Sequence, residues 1–339
     1  MNMLKKLVSI YFKYYPKTFI FCYHRVIPES IAQAQLVHRA LFVTPETFEN
    51  QIKWMLQHGK IISPDELYQY TSRMRFIITF DDGWKDNYTY AVKIMKKYNI
   101  ASTFFITTGN IDDRELFWSE NIGFLIADAL KASSQEHVIT VMKHLIRDII
   151  HEYNLQGKLY VNEKSKNVYY ILDRFIEHAK YLSANERKMM CLTLCKNLNI
   201  SYHNEGEINL LSWNEIASMA EEGHKFGSHT HTHELLDRVD NSIIDYELKQ
   251  SKFILEKKLG KEIDMFSYPN GNYLRIYIQE SLRRHGFRYA FTLGAQAFQY
   301  NERYLIPRAI LFEDISRSMD RYILKYMLIN RTKSIWRKN

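Results

Sequence analysis

The sequence predicts an α/β protein in which parallel strands alternate with helices, and three observations point to that class. At 339 residues the chain is long enough for one large α/β domain or for two smaller domains. Short runs rich in Phe, Ile, Tyr and Thr alternate with segments of helical periodicity, the pattern of strands joined by crossover helices. The composition is 46% hydrophobic and 25% charged with few Gly and Pro, which excludes fibrous and disordered classes.

Seven apolar runs are predicted as strands because each is short and rich in β-branched or aromatic residues. In chain order they cover residues 18–23, 76–80, 102–106, 225–228, 265–268, 289–292 and 306–311. Helices are predicted between them at 45–58, 88–98, 212–222, 242–259 and 277–285. The sequence Ser212-Trp213-Asn214-Glu215 is a capping box that begins one of these helices.

One long segment interrupts this alternation. Residues 118–204 are almost wholly helical in pattern and rich in Lys and Glu, so we expect a helical insertion between two strand–helix units. The α/β domain then consists of residues 18–117 and 205–315. A basic amphipathic segment, 1–17, precedes it, and a basic amphipathic tail, 316–339, follows it.

The net charge of +8 is concentrated at the two ends of the chain, where Lys and Arg alternate with large apolar residues. A terminal helix that packs its apolar face on the body explains this pattern. Peripheral contact with an anionic membrane surface is the alternative. A nucleic-acid partner is not expected, because the sequence has no basic recognition helix, zinc finger or aromatic strand motif.

The sequence predicts neither a transmembrane helix nor a cleavable signal. No uncharged run approaches the roughly 20 apolar residues that span a bilayer, and Lys13 interrupts the apolar N-terminal region. We therefore expect a cytoplasmic protein, with attachment to the inner face of the cell membrane as a variant of that expectation. The three cysteines, Cys22, Cys191 and Cys195, are too few for a disulfide framework and are expected to be buried thiols.

Two adjacent carboxylates follow the predicted strand 76–80, in the sequence Thr79-Phe80-Asp81-Asp82-Gly83. They lie where parallel-sheet and barrel enzymes build their sites, at the carboxyl end of a strand. Neighbouring like charges repel, and a metal ion on one of them allows both to stay ionised. A simple turn followed by a helix N-cap at Asp86 is the alternative interpretation.

Three alternating histidines, His229, His231 and His233, follow another predicted strand. Residues four apart share a face on a helix and residues two apart share one on a strand, so His229 and His233 converge under either geometry. Two imidazoles and one carboxylate form a catalytic zinc set with an open position for water. His231 is the alternative ligand, although we expect it at the rim of the site.

The turn Phe266-Ser267-Tyr268-Pro269-Asn270-Gly271 follows a third strand. Pro and Gly favour a tight turn there, which can present the backbone N–H of Asn270 toward the site. Such a donor would stabilise a developing oxyanion.

Together these motifs resemble the polysaccharide deacetylases of the NodB-homology type, carbohydrate esterase family 4, which are metal-dependent deacetylases of carbohydrates. The resemblance lies in Thr79 to Gly83, in His229-Thr230-x-x-His233 and in Tyr268-Pro269-x-Gly271. The stretches Cys22-Tyr23-His24-Arg25-Val26 and Phe42-Val43-Thr44-Pro45 are similar to the poly-N-acetylglucosamine deacetylase branch. With the strand at 101–106, the resemblance covers roughly residues 18–115 and 205–312.

The resemblance implies a distorted (β/α) barrel of seven strands that carries the helical insertion. It also implies that Asp82, His229 and His233 hold a divalent metal, Zn²⁺ first, with Co²⁺ or Ni²⁺ as alternatives. Asp81 would then be the general base toward the attacking water. The candidates for contact with the sugar are Trp84, Tyr268 and Pro269.

This chain departs from the family pattern at two positions. The Arg that commonly begins the third motif is replaced by Ser267, and we predict that Arg308 takes its place beside Asp81. No histidine follows His285, so the usual C-terminal acid is missing. His24 is the candidate acid, since a barrel brings its first and last strands together. A structural histidine bonded to a backbone carbonyl is the alternative.

The predicted function is hydrolysis of an acetyl group from an N-acetylated sugar of a cell-surface polysaccharide or its lipid-linked precursor. A deacylase of small amides would use the same site. A binding protein for carbohydrates or membrane surfaces that kept the fold and lost turnover is the non-enzymatic alternative, which Ser267 and the missing C-terminal histidine favour.

Overall fold

A computed structural model describes residues 18–69, 73–113, 116–155, 161–202, 209–271, 275–294 and 303–325. The predicted segment 1–17 and most of the predicted tail, 326–339, lie outside these residues. The chain divides into two compact units. The first contains 1–28, 39–114 and 209–339, and the second contains 29–38 and 115–208.

The described residues contain ten strands. In chain order they are β1 (Thr18–Tyr23), β2 (Arg25–Val26), β3 (Phe42–Val43), β4 (Lys60–Ile61), β5 (Arg75–Phe80), β6 (Thr103–Ile106), β7 (Lys225–Ser228), β8 (Met265–Ser267), β9 (Tyr289–Leu293) and β10 (Ile306–Ile310). The short strands β2, β3 and β4 were not predicted, because two residues are too few to show a period.

Seven of these strands close into a parallel barrel. Their order is β1, β10, β9, β8, β7, β6 and β5, and β5 pairs back with β1. The closing pair runs in register from Thr18 opposite Arg75 to Tyr23 opposite Phe80. Strand β4 extends the sheet beside β5, and β2 pairs with β3 in a separate two-stranded sheet. The predicted seven-stranded (β/α) barrel is confirmed.

The described helices are α1 (Glu29–Ala34), α2 (Pro45–His58), α3 (Lys93–Lys97), α4 (Thr108–Asp113), α5 (Trp118–Ala132), α6 (Gln135–Glu152), α7 (Val168–Ala179), α8 (Ala184–Leu198), α9 (Trp213–Glu221), α10 (Asn241–Leu259), α11 (Ile276–Arg284) and α12 (Glu313–Ser316). A π-helical segment, Asn87–Val92, leads into α3. Ser212 and Glu215 cap α9 reciprocally, which confirms the predicted capping box.

Apolar side chains fill the interior of the barrel. One buried cluster draws a side chain from each of six barrel strands, namely Ile20, Ile77, Phe105, Met265, Phe291 and Ile306. Side chains from six strands of a closed barrel meet only inside it. Each contributes about 1.5–3 kcal/mol by burial. The barrel is thus a packed core and not a pore, so a site must lie at one of its ends.

The second unit is helical and has a core of its own. Buried residues of α5, α6, α7 and α8 form one cluster, and Leu36, from the segment after α1, joins it. Cys191 and Cys195 are free thiols buried in this cluster, and Cys22 is a free thiol buried in the barrel. The prediction of three buried thiols is confirmed.

The described beginning of the C-terminal tail packs on the first unit. Residues 319–325 are helical, with Met319 and Ile323 buried, and the Tyr322 hydroxyl donates a hydrogen bond to the Ile310 carbonyl. A packed terminal helix, one of the two interpretations of this basic segment, accounts for these residues. None of the described helices combines the length and the apolar character that crossing a membrane requires.

Candidate active site

Polar side chains gather at the end of the barrel where its parallel strands finish. Asp81 and Asp82 follow β5, His229 follows β7, His24 follows β1, and Arg308 lies within β10. Backbone bonds continue the strand pairing into this region. The N–H of Asp81 donates to the Tyr23 carbonyl at 3.0 Å, and that of His229 donates to the Ile106 carbonyl at 2.9 Å. The candidate residues are therefore held by the barrel itself.

Asp82, His229 and His233 form one group that can hold a metal ion. The Oδ1 atom of Asp82 lies 3.4 Å from Nε2 of His229 and 3.6 Å from Nε2 of His233. Two ligand atoms bound about 2.1 Å from a tetrahedral zinc ion lie about 3.4 Å apart. The donor set and its spacing therefore fit a divalent metal of this kind. We call these three residues the ligand group.

The outer nitrogen of His229 is fixed by the backbone. Its Nδ1 lies 2.8 Å from the carbonyl oxygen of Ser267, so the imidazole donates from Nδ1 and leaves the Nε2 lone pair for the ligand group. His229 is 2% exposed, whereas the side chain of His233 is 20% exposed. The ligand group is therefore reached from the side of His233.

The backbone of the site adopts left-handed conformations at non-glycine residues. The φ angles are 78° at Asp82, 67° at Thr230 and 61° at His233. Each such residue costs about 1–3 kcal/mol and persists only where its surroundings hold it. Glu247 of α10 supplies part of that hold, because its carboxylate accepts the Thr232 N–H at 2.8 Å and the Thr232 hydroxyl at 2.7 Å.

His231, which the sequence places at the rim of the site, bonds to residues outside the ligand group. Its Nδ1 lies 2.9 Å from the Thr108 hydroxyl of α4, and its N–H donates to Glu247 at 2.7 Å. His231 is absent from the metal-binding groups found among the described residues. Among the described residues, His229 and His233 are thus the imidazoles of the ligand group.

Asp81 is held by Arg308 instead of by the ligand group. The guanidinium donates from Nη1 to Oδ1 and from Nη2 to Oδ2, both at 2.7 Å, and both residues are almost fully buried. Burial alone would raise the pKa of Asp81, but the Arg308 charge outweighs it and keeps the pKa below its usual range. Asp81 therefore stays ionised at neutral pH. Its Oδ2 lies 4.0 Å from Nε2 of His229.

Ser267 connects the two carboxylate environments. Its hydroxyl lies 3.2 Å from Oδ2 of Asp81 and accepts a hydrogen bond from Arg308 at 2.6 Å, while its carbonyl holds His229. In the deacetylases that the sequence resembles, the position of Ser267 usually carries Arg. Here the small Ser267 side chain binds the guanidinium of Arg308, which lies on β10. The predicted placement of Arg308 beside Asp81 agrees with this geometry.

Electrostatics inside the ligand group favour positive charge at His229 and not at His233. Burial would raise the pKa of Asp82, but the bond to His229 and the neighbouring imidazoles hold it below its usual range. Burial would lower the pKa of His229, but Asp81 and Asp82 outweigh it and raise it. Burial lowers the pKa of His233 to about 4, so this imidazole is neutral at pH 7. A site that attracts a proton beside a neutral imidazole also suits a cation.

His24 lies beside Asp81, on the side of Cys22. A ring nitrogen of His24, the Cys22 thiol and an Asp81 oxygen lie within 4.8 Å of one another. Among the described residues, the buried Nδ1 of His24 has no hydrogen-bond partner, so the backbone-bonded alternative does not describe this nitrogen. This second group is a poor metal site, because the Arg308 guanidinium already occupies Asp81 and repels a cation.

The turn after β8 has the conformation that its Pro and Gly predict. Gly271 has a φ of 71°, and a Cβ there would approach the Leu293 nitrogen to 2.6 Å, so glycine is required. Asn270 is exposed in this turn, with a φ of 55°. The oxyanion role of its N–H stays a prediction.

The three predicted sugar contacts are buried in this structure. Tyr268 is 0% exposed and its hydroxyl donates to the Tyr304 carbonyl, while Pro269 is buried in the turn. Trp84 is also 0% exposed, and its indole N–H donates to Oδ2 of Asp82 at 2.9 Å. The sequence does not show this burial, which leaves Trp84 and Tyr268 without exposed surface for a substrate. Contact of Pro269 with a sugar stays a prediction.

Asp86 is likewise not the helix cap that the sequence suggested as an alternative. It makes no side-chain capping bond, and its carboxylate instead binds Arg25 at 2.7 Å and the Val26 N–H at 3.0 Å. The sequence also gave no prediction for Arg25 and Glu247. Arg25 lies over Trp84, and Glu247 accepts hydrogen bonds from the loop that carries the histidines. Arg25 stands in the stretch Cys22 to Val26 that carries the family resemblance, and this was its one signal.

A family model described as polysaccharide deacetylase matches residues 69–290, more than half of the chain. The chain belongs to the polysaccharide deacetylase family. This family is generally metal-dependent. A curated relative, the poly-β-1,6-N-acetyl-D-glucosamine N-deacetylase of Staphylococcus aureus, is 36% identical over an alignment of 77 residues, and the match covers 21% of this chain. The matched segment spans 27% of that relative's length.

Two solved structures share the fold of this polysaccharide deacetylase family member. The Streptococcus pyogenes deacetylase PplD, in complex with acetate, aligns with a TM-score of 0.58 and 18% identity over 92% of this chain and 98% of its own. IcaB from Ammonifex degensii aligns with a TM-score of 0.54 and 16% identity over 91% and 97%. Both are similar to this protein along nearly their whole length, which shows the fold.

Proposed function

We propose that this protein is a metal-dependent deacetylase that hydrolyses the acetamide group of an N-acetylated sugar. The observation that carries the proposal is the separation of Asp81 from Asp82. One carboxylate is paired with a buried guanidinium, and its neighbour faces two imidazoles. A hydrolase of this kind needs both an ionised base and a metal ligand at one point.

Asp82, His229 and His233 would hold the divalent ion. Two imidazoles and one carboxylate favour Zn²⁺, with Co²⁺ or Ni²⁺ as alternatives. When bound, such an ion supplies Lewis-acid chemistry that acidifies water and polarises an acyl carbonyl.

Asp81 acts as the general base in this proposal. Arg308 keeps it ionised and fixes its plane through two parallel hydrogen bonds, which is the state and the orientation that proton removal requires. The presence of Arg308 also weakens the case for an inactive binding protein, because the Arg that Ser267 replaces is supplied from β10.

His24 supplies the proton for the departing amine. One of its ring nitrogens lies within 4.8 Å of an oxygen of the base, and its buried Nδ1 has no partner among the described residues. An amine is a poor leaving group unless it is protonated, so an acid on this side completes the reaction. The N–H of Asn270 would stabilise the oxyanion.

The substrate class is the finer part of the proposal. The relative in Staphylococcus aureus is named for poly-β-1,6-N-acetyl-D-glucosamine, which supports an N-acetylglucosamine unit in a cell-surface polysaccharide or its lipid-linked precursor. The basic residues that alternate with apolar ones in the sequence of segments 1–17 and 326–339 support peripheral contact with an anionic membrane surface.

The test is acetate release by metal-stripped protein with and without added Zn²⁺ or Co²⁺. N-acetylglucosamine oligomers, lipid-linked acetylated glycans and small acetamides are compared as substrates, and Asp81→Asn is the matched inactive control. Metal-restored release from the sugars, absent in the control, is the expected result. Acetate release from small acetamides but from none of the sugars would contradict an N-acetylated sugar as the substrate. Bound metal with no acetate from any substrate would contradict the deacetylase itself.

A further inference from the structure

The second carboxylate oxygen of Asp82 is held by a buried layer of three side chains. The indole N–H of Trp84 donates to this oxygen, Oδ2, at 2.9 Å, and the ring is 0% exposed. The guanidinium of Arg25 lies over the same ring, 4.4 Å from its centroid. The carboxylate of Asp86 accepts a hydrogen bond from Nε of that guanidinium. We call Arg25, Trp84 and Asp86 the support layer.

Each member of the support layer is fixed by the next. Asp86 accepts a hydrogen bond from Nε of Arg25 at 2.7 Å and another from the backbone N–H of Val26 at 3.0 Å. Arg25 and Asp86 are 2% and 7% exposed. Asp86 therefore joins the guanidinium to the backbone of β2. The position of the guanidinium over the indole fixes the ring plane in which the Trp84 N–H points.

Stability alone does not explain why a charged pair is buried here. Taking two ions out of water costs several kcal/mol each, and apolar residues of similar volume often serve a fold as well or better. Burial also keeps the pKa of Asp86 above its usual value despite the partner cation. This buried ion pair holds Trp84, and Trp84 in turn donates to Asp82 of the ligand group, which suggests a function at that group.

The function follows from the two oxygens of one carboxylate. Oδ1 of Asp82 faces both histidines, at 3.4 and 3.6 Å, while Oδ2 is occupied by the Trp84 N–H. A carboxylate with one oxygen engaged in this way presents the other oxygen as a single, oriented donor. Hydrogen bonds behind metal ligands typically change metal affinity 10- to 100-fold.

We propose that the support layer positions Asp82 so that Oδ1 is its metal-binding oxygen, and that it thereby sets the affinity of the site for a divalent cation. Arg25, Trp84 and Asp86 are positioning residues in this account and touch neither substrate nor metal. The inference rests on the metal site of the proposed function.

Trp84→Phe tests the proposal because it removes the N–H and keeps an aromatic ring beneath Arg25. Co²⁺ affinity is measured by calorimetry and by the visible absorption of the bound ion, on metal-stripped protein. We expect affinity to fall about 10- to 100-fold. We also expect turnover to recover when Co²⁺ is raised to saturation, since the base and the acid are untouched.

The matched control is Trp54→Phe. The Trp54 indole also donates to a carboxylate, that of Asp320, at the same 2.9 Å, and neither residue belongs to the ligand group. Trp54→Phe should bind Co²⁺ as the parent protein does. This holds even if Trp54→Phe and Trp84→Phe lose similar amounts of unfolding free energy. Equal Co²⁺ affinity in Trp84→Phe and Trp54→Phe would overturn the proposal.

A second variant decides the question if Trp84→Phe fails to fold. The pair Arg25→Met and Asp86→Asn removes both charges, keeps a long side chain over the indole, and leaves an oxygen for the Val26 N–H. A several-fold loss of Co²⁺ affinity with the parent's unfolding midpoint supports positioning, whereas unchanged affinity overturns it. Failure of the parent protein to bind any divalent ion would instead contradict the proposed function, so the two failures are distinguishable.

Discussion

Asp81 and Asp82 are neighbours in the chain and both are buried, yet their surroundings differ in charge and in geometry. Asp81 receives a two-point ion pair from Arg308. Asp82 receives one neutral N–H from Trp84 and faces two imidazoles. A full positive charge satisfies the first carboxylate, whereas the second retains an oxygen and a negative charge for a cation. The fold thereby gives two identical side chains different chemical capacities.

The difference arises because a strand end turns its successive residues to different sides. Asp81 continues the pairing of β5 with β1 through its bond to Tyr23, and so it faces Arg308 on β10, next to β1. Asp82 has a φ of 78°, which turns the chain out of the strand before Gly83. The backbone strain therefore falls on Asp82, the residue at which the chain departs from the direction of strand β5.

The largest expected effect is on the Asp82 side. His229→Ala removes an imidazole of the ligand group, so Co²⁺ affinity should fall by more than the roughly 100-fold typical of losses behind a ligand. His231→Ala is the matched control, because this histidine lies in the same loop but bonds to Thr108. Titration of the metal-stripped variants with Co²⁺ measures both affinities. Equal losses of Co²⁺ affinity would contradict the assignment of His229, and not His231, as a metal ligand.

The next effect is on the Asp81 side. Arg308→Met leaves a buried carboxylate without its cation, which should cost about 3–5 kcal/mol of unfolding free energy. The double variant Asp81→Asn with Arg308→Met should recover most of that loss, since no unpaired charge remains. Urea unfolding of metal-stripped protein provides the comparison. A double variant as unstable as the single one would show that Arg308 acts by packing and not by charge.

The pH dependence of stability sharpens the same point. Because Arg308 holds the pKa of Asp81 below its usual value near 3.9, the pair stabilises the native state above that pH. This contribution is lost as the pH falls through the lower native value. In the Arg308→Met variant, burial raises the pKa of Asp81 because the opposing charge is gone. Acid then protonates Asp81, and the variant no longer carries an unpaired buried charge.

The difference in unfolding free energy between the parent protein and Arg308→Met should therefore become smaller as the pH falls. Metal-stripped protein unfolded in urea at stepped pH values from 7 to 3 measures it. A gap that stays constant or widens would contradict the role of Arg308 as the charge partner of Asp81.

The smallest effect is expected at Ser267, which serves both sides. Ser267→Ala removes the hydroxyl bonded to Asp81 and Arg308 and should cost about 1.5–3 kcal/mol, since both partners are charged. Metal affinity should hardly change, because the backbone carbonyl still accepts from His229. Urea unfolding and Co²⁺ titration measure the two quantities, and a large loss of affinity would place the hydroxyl on the metal side.

Much of the barrel and of the site could be predicted from the sequence, for a physical reason. Apolar runs such as 76–80 identify parallel strands, and the carboxyl ends of such strands meet at one end of a barrel. Polar residues that follow different strands are thus brought together without knowledge of their contacts. The ligand group and Asp81 were predicted on that ground and by family resemblance.

Contacts that depend on burial or on very short elements were not predictable. Trp84 is an aromatic residue directly after the Thr79 to Gly83 motif, and only the fold shows that its ring is buried. Asp86 stands where a helix cap is common, but its partner Arg25 lies on a two-residue strand with no periodic signal. The joining of Leu36 to the helical core likewise depends on tertiary packing alone.

Metal binding by Asp81→Asn and Asp82→Asn tests the separation of the two carboxylates most directly. Co²⁺ affinity and acetate release are measured for both metal-stripped variants beside the parent protein. Asp81→Asn should bind Co²⁺ nearly as the parent does and release no acetate, whereas Asp82→Asn should lose the metal. Comparable loss of the metal in both variants, or acetate release by Asp81→Asn, would contradict the division of roles between the two residues.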